Sequence, residues 1–382
     1  MMGLMVCCMA WTSLSVQAGQ KDSVQFSVLT CYPSSEIYRM FGHTALRYTN
    51  HTQHQDWVFN FGMFDFNAPH FIYHFVLGET DYQLGVEEYA RFHALYQWIG
   101  ARVTQQVLDL TEEEKARLLA LLRENYLPRN RFYRYNYFHD NCTTRARDKI
   151  EAGLNGDVGY AGADGLTTYR EMLHAFMQDS PWYRFGVDLL LGQEADRPIT
   201  IRQQMFSPLF FHDSLSLARR ADGRCLVQDE TALLPGSAGG APPGFPLSPA
   251  VCMWLLLVVT ICMQYAGYRF HFPVNWVGYL LFFIQGLAGC IVAFLFFFSS
   301  HPTVGSNWMI GVLNPLPLLC LPWVMSMPRF RMSYHWANAL VLLLLAVVMP
   351  LSPQHFDAAV WPMMAVLVQP SVSYIHLTLH RK

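Results

Sequence analysis

Two short stretches hold residues able to make and serve a nucleophile. In Asp140-Asn141-Cys142-Thr143-Thr144-Arg145, two residues that favour helix caps precede a cysteine, so Cys142 is expected in the first turn of a helix. Backbone amides and the helix dipole favour a thiolate there. Cys142, Ala146, Ile150 and Leu154 recur every four residues and share one face, which turns the sulfur toward the body of the domain. In Phe41-Gly42-His43-Thr44-Ala45-Leu46-Arg47, a histidine opens a strand after a glycine, and glycine permits close backbone approach. A histidine base beside a cysteine is the usual activated thiol. Asn60, in Val58-Phe59-Asn60-Phe61-Gly62, could hold the second ring nitrogen and fix its tautomer. Spacing alone leaves alternatives open. Cys142 also fits a buried structural thiol or half of a disulfide, His43 is one of 15 histidines, and Asn60 also fits a turn at a strand end. Cys31 and Cys225 are the other cysteines of the globular part, and were they to pair, Cys142 would be left free.

Other chemistry finds little support. His70 and His74 have i,i+4 spacing but no third ligand, so no metal and no cofactor is expected. Neither a phosphate-binding glycine loop nor Gly-x-Ser-x-Gly occurs. Tyr133, Tyr135, Tyr137 and Phe138 read as strand core.

The elements that must position these residues follow from periodicity. Alternating Val24, Phe26 and Val28 predict a strand over 23–31, and aromatic and β-branched residues predict further strands over 43–49 and 56–61. Thr111-Glu112-Glu113-Glu114 is a capping box ahead of the apolar run Leu118–Leu122, predicting a helix over 112–126. A second helix is expected from Cys142 to Gly153. The fold class is therefore α+β.

Charge divides the chain. Residues 249–382 hold one acid, Asp357, and five bases, Arg269, Arg329, Arg331, Arg381 and Lys382, whereas the preceding part holds 27 acids against 21 bases. A single soluble domain is excluded, and so is nucleic-acid binding, since the charged part is acidic and has no basic stripe. Five apolar stretches near spanning length follow, over 251–268, 274–298, 308–325, 336–350 and 358–377; Asn314, Pro315 and Pro317 interrupt the third. All five bases flank alternate connections, and the connections 299–307 and 352–357 carry none. That bias places the bases in the cytoplasm and the charged domain outside it. Residues 1–18, with Val16-Gln17-Ala18 at their end, read as a signal peptide, the alternative being an uncleaved first membrane helix, and the signal points the same way. The expected organisation is a signal at 1–18, a catalytic domain at 19–234, a Pro/Gly/Ser/Ala-rich linker at 235–249 and a membrane domain at 250–382.

Several blocks together resemble the family of Lnb N-terminal periplasmic domains: Leu29-Thr30-Cys31-Tyr32-Pro33, the segments around His43, Asn60 and Cys142, Tyr135-Asn136-Tyr137-Phe138, Gly186-Val187-Asp188 with Leu191-Gly192, and Met205-Phe206-Ser207-Pro208. The membrane half is similar as well, through Ser300-His301-Pro302 and the stretch from Asn307 to Pro315. The family includes the Bacteroides-type lipoprotein N-acyltransferase. The order His, polar residue, Asn-Cys also resembles the circularly permuted papain-like (NlpC-type) superfamily, to which lecithin:retinol acyltransferase belongs. The resemblance implies a papain-like extracytoplasmic domain followed by five transmembrane helices in a bacterial inner membrane.

It further implies an acyltransferase in which Cys142 is nucleophile, His43 base and Asn60 the third group. Amides at the start of the Cys142 helix, around Asn141 and Thr143, are the expected oxyanion donors. The donor would be a phospholipid and the acceptor the α-amine of a diacylglyceryl-cysteine lipoprotein, with the acyl group held between them as a thioester. Arg47, His301, Asn307 and Asn314 are expected to shape a substrate pocket at the membrane surface, since polar groups at membrane depth face protein or a cavity. Two alternatives are a membrane-tethered cysteine peptidase or amidase acting on peptidoglycan or peptides, and a non-enzymatic assembly factor.

Overall fold

The computed structural model describes residues 23–34, 39–65, 67–161, 168–236 and 244–380. The expected signal at 1–18, residues 237–243 of the expected linker, and Arg381 and Lys382 lie outside the described residues.

Strand β1 (Val24–Cys31) pairs with β2 (His43–Asn50), β2 with β3 (Gln55–Met63), β3 with β4 (Asp81–Glu88), and β4 with the short β6 (Phe132–Arg134). On its other side β1 pairs with β5 (Val103–Leu108), which pairs with Val227–Leu234. Every pairing in this seven-stranded sheet is antiparallel. Period-2 alternation sorts its side chains between two faces. Phe26, Val28, Leu46, Tyr48 and Phe61 pack against α3 (Glu112–Tyr126) and α4 (Cys142–Gly153). Leu29, Cys31, Ala45 and Val58 pack on the other face, against Phe92 of α2 (Tyr89–Ile99). The capping box of α3 is formed as expected, with Thr111 accepting from the Glu114 amide. Glu114 is also buried against Arg220 at 2.7 Å.

The strand expected from Tyr133 through Phe138 is shorter. Only Phe132–Arg134 pairs, and the chain then turns, with Asn136 bridging Asp140. The turn is set by the Asn136 side chain, which accepts from the Phe138 and His139 amides.

The membrane half is helical. Its long elements are Pro249–Phe270, Asn275–Phe298, the interrupted pair Met309–Val312 and Leu316–Ser326, Pro328–Val348 and Val360–Leu379. The first four are long and apolar enough to cross a membrane. The fifth has 20 residues, about 30 Å of helix at 1.5 Å per residue. It is less apolar because Gln369, Ser371, Ser373, His376 and Thr378 lie on it, and much of it is buried within the bundle. The third element breaks where the sequence suggested: Asn314 donates to the Gly311 carbonyl and accepts from the Leu316 amide, bridging the gap. The fourth starts eight residues earlier than expected, at Pro328, so Arg329 and Arg331 stand in its first turns. Arg331 donates to the carbonyls of Val324 and Met325, closing the preceding helix end.

The two halves are docked. Helix α6 (Pro181–Leu190) buries Phe185 among Val292, Met309, Val312 and Met363 of the membrane bundle. The connections that rest on the sheet domain are 299–307 and 352–357, the two that carry no Lys or Arg.

Candidate active site

Cys142, His43 and Asn60 come together at one end of the sheet. Cys142 opens α4, His43 opens β2, and Asn60 lies in β3 where the pairing with β4 shifts register between Asn60 and Met63. His43 Nε2 and Asn60 Oδ1 are 3.2 Å apart. Asn60 Nδ2 donates to Glu87 Oε1 at 2.7 Å. An ionised Glu87 can only accept, so it turns the Asn60 carbonyl toward the imidazole and makes Nε2–H the donor. Nδ1 is then the ring nitrogen left for the sulfur, and His43 and Cys142 lie close enough for each to shift the protonation of the other.

The electrostatics follow from this chain of contacts. Burial pushes the Cys142 thiol up, but the charge and hydrogen bond of His43, the Thr44 amide and the Thr143 hydroxyl outweigh it and bring the thiol down to about 7. Burial opposes the charged imidazole, yet the adjacent Cys142 sulfur, then Asn60 and Glu87, hold His43 above its usual value. Both shifts favour the thiolate–imidazolium pair. Thr143 Oγ1 lies 3.8 Å from Cys142 Sγ and 3.1 Å from Thr44 Oγ1, tying the helix start to β2.

Asn141 holds the helix start in place. Its Oδ1 accepts from the Thr143 and Thr144 amides, and its Nδ2 donates to the carbonyls of Tyr137 and Phe206, each at 2.8 Å. Phe206 lies in the Met205–Pro208 block, which thereby bears on the site. The oxyanion expectation needs a correction here. The amides of Thr143 and Thr144 are spent on the cap, so among the described residues the Cys142 amide is the one at this end that the cap leaves open.

Three groups at the site were not found by reading the sequence. Glu87 carries no local signature, being brought to Asn60 only by the β3–β4 pairing. Tyr133, in strand and core as expected, and Tyr135, packed against that core, also lie beside the thiol. Gly62, at φ 86°, sits where an added Cβ would lie 3.5 Å from the Tyr135 ring, 3.6 Å from Cys142 Cβ and 3.9 Å from Tyr133 Oη. The tyrosine alternation was the signal that could have pointed to them.

The contacts of the four residues expected at a substrate pocket do not include Cys142. Arg47 is four residues along β2 from His43, about 13 Å at strand rise. Its guanidinium is held by both Asp56 oxygens, by Gln105 Oε1 at 2.6 Å and by the Tyr89 ring, so it braces the α2 face. His301 and Asn307 are docking residues. His301 Nε2 donates to the Phe75 carbonyl at 2.7 Å. Asn307 Nδ2 donates to the Leu189 carbonyl, and its Oδ1 accepts from the Met309 amide and from Gln354 Nε2. Gln354 also donates to the Leu191 carbonyl at 3.0 Å, and Gly192 packs so closely on Gly305 that a Cβ would overlap its carbonyl oxygen. The Gly186–Gly192 block thus serves docking, aided by Asp188, which is buried against Arg170 at 2.6 Å. Asn314 bridges the break in the third span, away from the thiol. Cys31 is buried in the sheet and Cys225 exposed, both as free thiols, so the pairing left open above is not formed.

Two family models match the chain. The model described as Lnb N-terminal periplasmic domain matches residues 14–175, which include His43, Asn60 and Cys142, and the model described as Lnb transmembrane domain matches residues 242–382. No curated protein and no solved structure matches the chain.

Proposed function

The chain belongs to the Lnb family as a membrane protein with an N-terminal periplasmic domain, and from that premise we propose that it is an inner-membrane acyltransferase that N-acylates diacylated lipoproteins by Cys–His catalysis. The observation that carries the reading is the Cys142–His43–Asn60–Glu87 chain in a domain docked directly on its membrane bundle. A soluble substrate would need no such docking; an ester at the lipid headgroup level does.

The steps balance as follows. The Cys142 thiolate attacks the carbonyl carbon of a phospholipid acyl ester, and the Cys142 amide faces the oxyanion. The C–O bond breaks, the lysophospholipid oxygen takes the proton from the His43 imidazolium, and a Cys142 thioester remains. The neutral α-amine of the diacylglyceryl-cysteine attacks the thioester while His43 accepts a proton from it. The C–S bond breaks, giving the amide and restoring the thiolate–imidazolium pair. Asn60 and Glu87 hold the imidazole so that the same Nδ1 serves both steps.

The test uses the full chain in vesicles with acyl-labelled phospholipid and a diacylglyceryl lipopeptide. Label is expected on the α-amine as an amide, and on Cys142 as a hydroxylamine-labile thioester when acceptor is left out. Cys142→Ala should abolish both. Cys142-dependent cleavage of a peptide or muropeptide with no acyl transfer would replace this reading by the amidase one.

A further inference from the structure

Helix α1 (Phe71–Leu77) connects β3 to β4 and buries none of its residues, although its sequence is Phe-Ile-Tyr-His-Phe-Val-Leu. Ile72 is 76% exposed, Tyr73 57% and Phe75 47%. A concentrated apolar surface of this kind marks a contact with protein or membrane. Its position is set by the outer connection after the second span. The carbonyls at its C-terminal end are capped from there, with Ser299 Oγ donating to Val76, Ser300 Oγ to Leu77 and Gly78, and His301 Nε2 to Phe75. Gly78, at φ 73°, leaves room for this, since a Cβ there would lie 2.8 Å from the His301 amide nitrogen. Tyr73 lies against Phe294, with ring centroids 6.5 Å apart. Phe294 is four residues from the end of its span, about 6 Å along the helix axis. Helix α1 therefore lies at the outer boundary of the hydrocarbon layer, as an interfacial helix does.

Between α1 and the span is an open groove of about 620 Å³, lined by Ala68, Phe71, Ile72, Tyr73, Val76 and Phe294, with His70 at its end. An aromatic tract leads from it to the thiol. Phe71 stacks on Phe64 at 5.6 Å, Phe64 packs on Tyr82 at 4.9 Å, and Tyr82 stacks on Tyr135 at 4.2 Å. Tyr135 then adjoins Gly62 and Cys142. We propose that this groove holds the acyl chain of the donor phospholipid, drawn from the outer leaflet, and that the aromatic tract lines the path of its ester to Cys142. The proposal rests on the acyltransferase reading. The occupant is a membrane lipid rather than a protein because the groove is continuous with the lipid-facing side of a membrane span and is lined by no Asp, Glu, Lys or Arg.

The experiment uses full-length Cys142→Ala protein in vesicles of phosphatidylethanolamine and phosphatidylglycerol doped with a phospholipid carrying a diazirine in its acyl chain. Photolysis should label peptides containing Phe71–Leu77 and Phe294. In the active chain, Ile72→Glu should raise KM for long-chain phospholipid by about tenfold or more, since a carboxylate is costly beside lipid tails. The same variant should leave transfer from a short-chain soluble thioester unchanged, and Ile72→Leu should behave as the parent. Ile72 is exposed, so neither change removes core packing. Labelling confined to other helices, or equal effects on long and short donors, overturns the groove. Labelling of α1 only by the acyl chains of the lipopeptide acceptor overturns it too. If α1 is labelled but the parent chain transfers no acyl group, the groove stands as a lipid site and the acyltransferase reading falls.

Discussion

At Cys142, burial and charge act against each other, and the balance decides whether the sulfur is inert or reactive. An apolar site alone would raise the thiol, as it does for Cys31, which has no imidazole to offset its burial. At Cys142 the paired imidazole prevails and the thiol falls to about 7. A lowered thiol is ionised above its midpoint and protonated below it, so reactivity is gained as pH rises through about 7. Alkylation by iodoacetamide should therefore be half-maximal near pH 7 and not near the ordinary thiol value of 9.0. In His43→Ala only the Thr44 amide and the Thr143 hydroxyl still oppose burial, and the midpoint should move up by roughly one pH unit or more. An unchanged midpoint in that variant would remove His43 from the activation of the thiol.

The elements matter through where they begin. Helix α4 begins at Cys142 because Asn141 caps it, and β2 begins at His43 because Gly42 turns the chain into it at φ 77°. That turn brings Gly42 against Cys31, with an added Cβ 2.6 Å from the Cys31 carbonyl oxygen. Gly42→Ala combines a left-handed backbone with a steric overlap, at a cost of about 1–3 kcal/mol. The start of β2 must shift, and His43 with it, while the rest of the sheet keeps its register. The expected result is a folded protein whose acyl-transfer rate falls by about tenfold or more and whose alkylation midpoint moves toward that of His43→Ala. Normal rate and midpoint would show that the strand start tolerates the change.

For the whole molecule, the periplasmic domain and the membrane bundle work as one unit because polar groups join them. Asn307 satisfies the Leu189 carbonyl, the Met309 amide and Gln354 at once. Asn307→Ala takes this partner from the Leu189 carbonyl and the Met309 amide, at about 1–3 kcal/mol each, while Gln354 keeps the Leu191 carbonyl. Its contacts are remote from Cys142, so alkylation of the thiol by a small reagent should stay at the parent rate. Transfer from phospholipid in vesicles should fall severalfold, because the ester no longer meets the thiol at a set depth. Equal loss of both would show damage to the domain itself, and loss of neither would make the bundle a mere anchor.

Much of this was legible from local chemistry. The segregation of charge, the five bases on alternate connections and the capping box at Thr111 each depend on residues within a few positions of one another, so the α+β class and the orientation follow from sequence. The Asn-Cys helix start was readable for the same reason. Glu87 was not, because its place beside Asn60 depends on strand register across 27 residues. Nor was the role of the outer loops. His301 and Asn307 stand out as polar residues near a membrane, which suits a substrate pocket and a docking joint equally. Only the packed molecule places α1 and α6 against those loops, and it then spends their hydrogen bonds on backbone carbonyls. Local rules decide what each element is; which unpaired groups of one element meet those of another is decided by packing, where most buried donors find an acceptor.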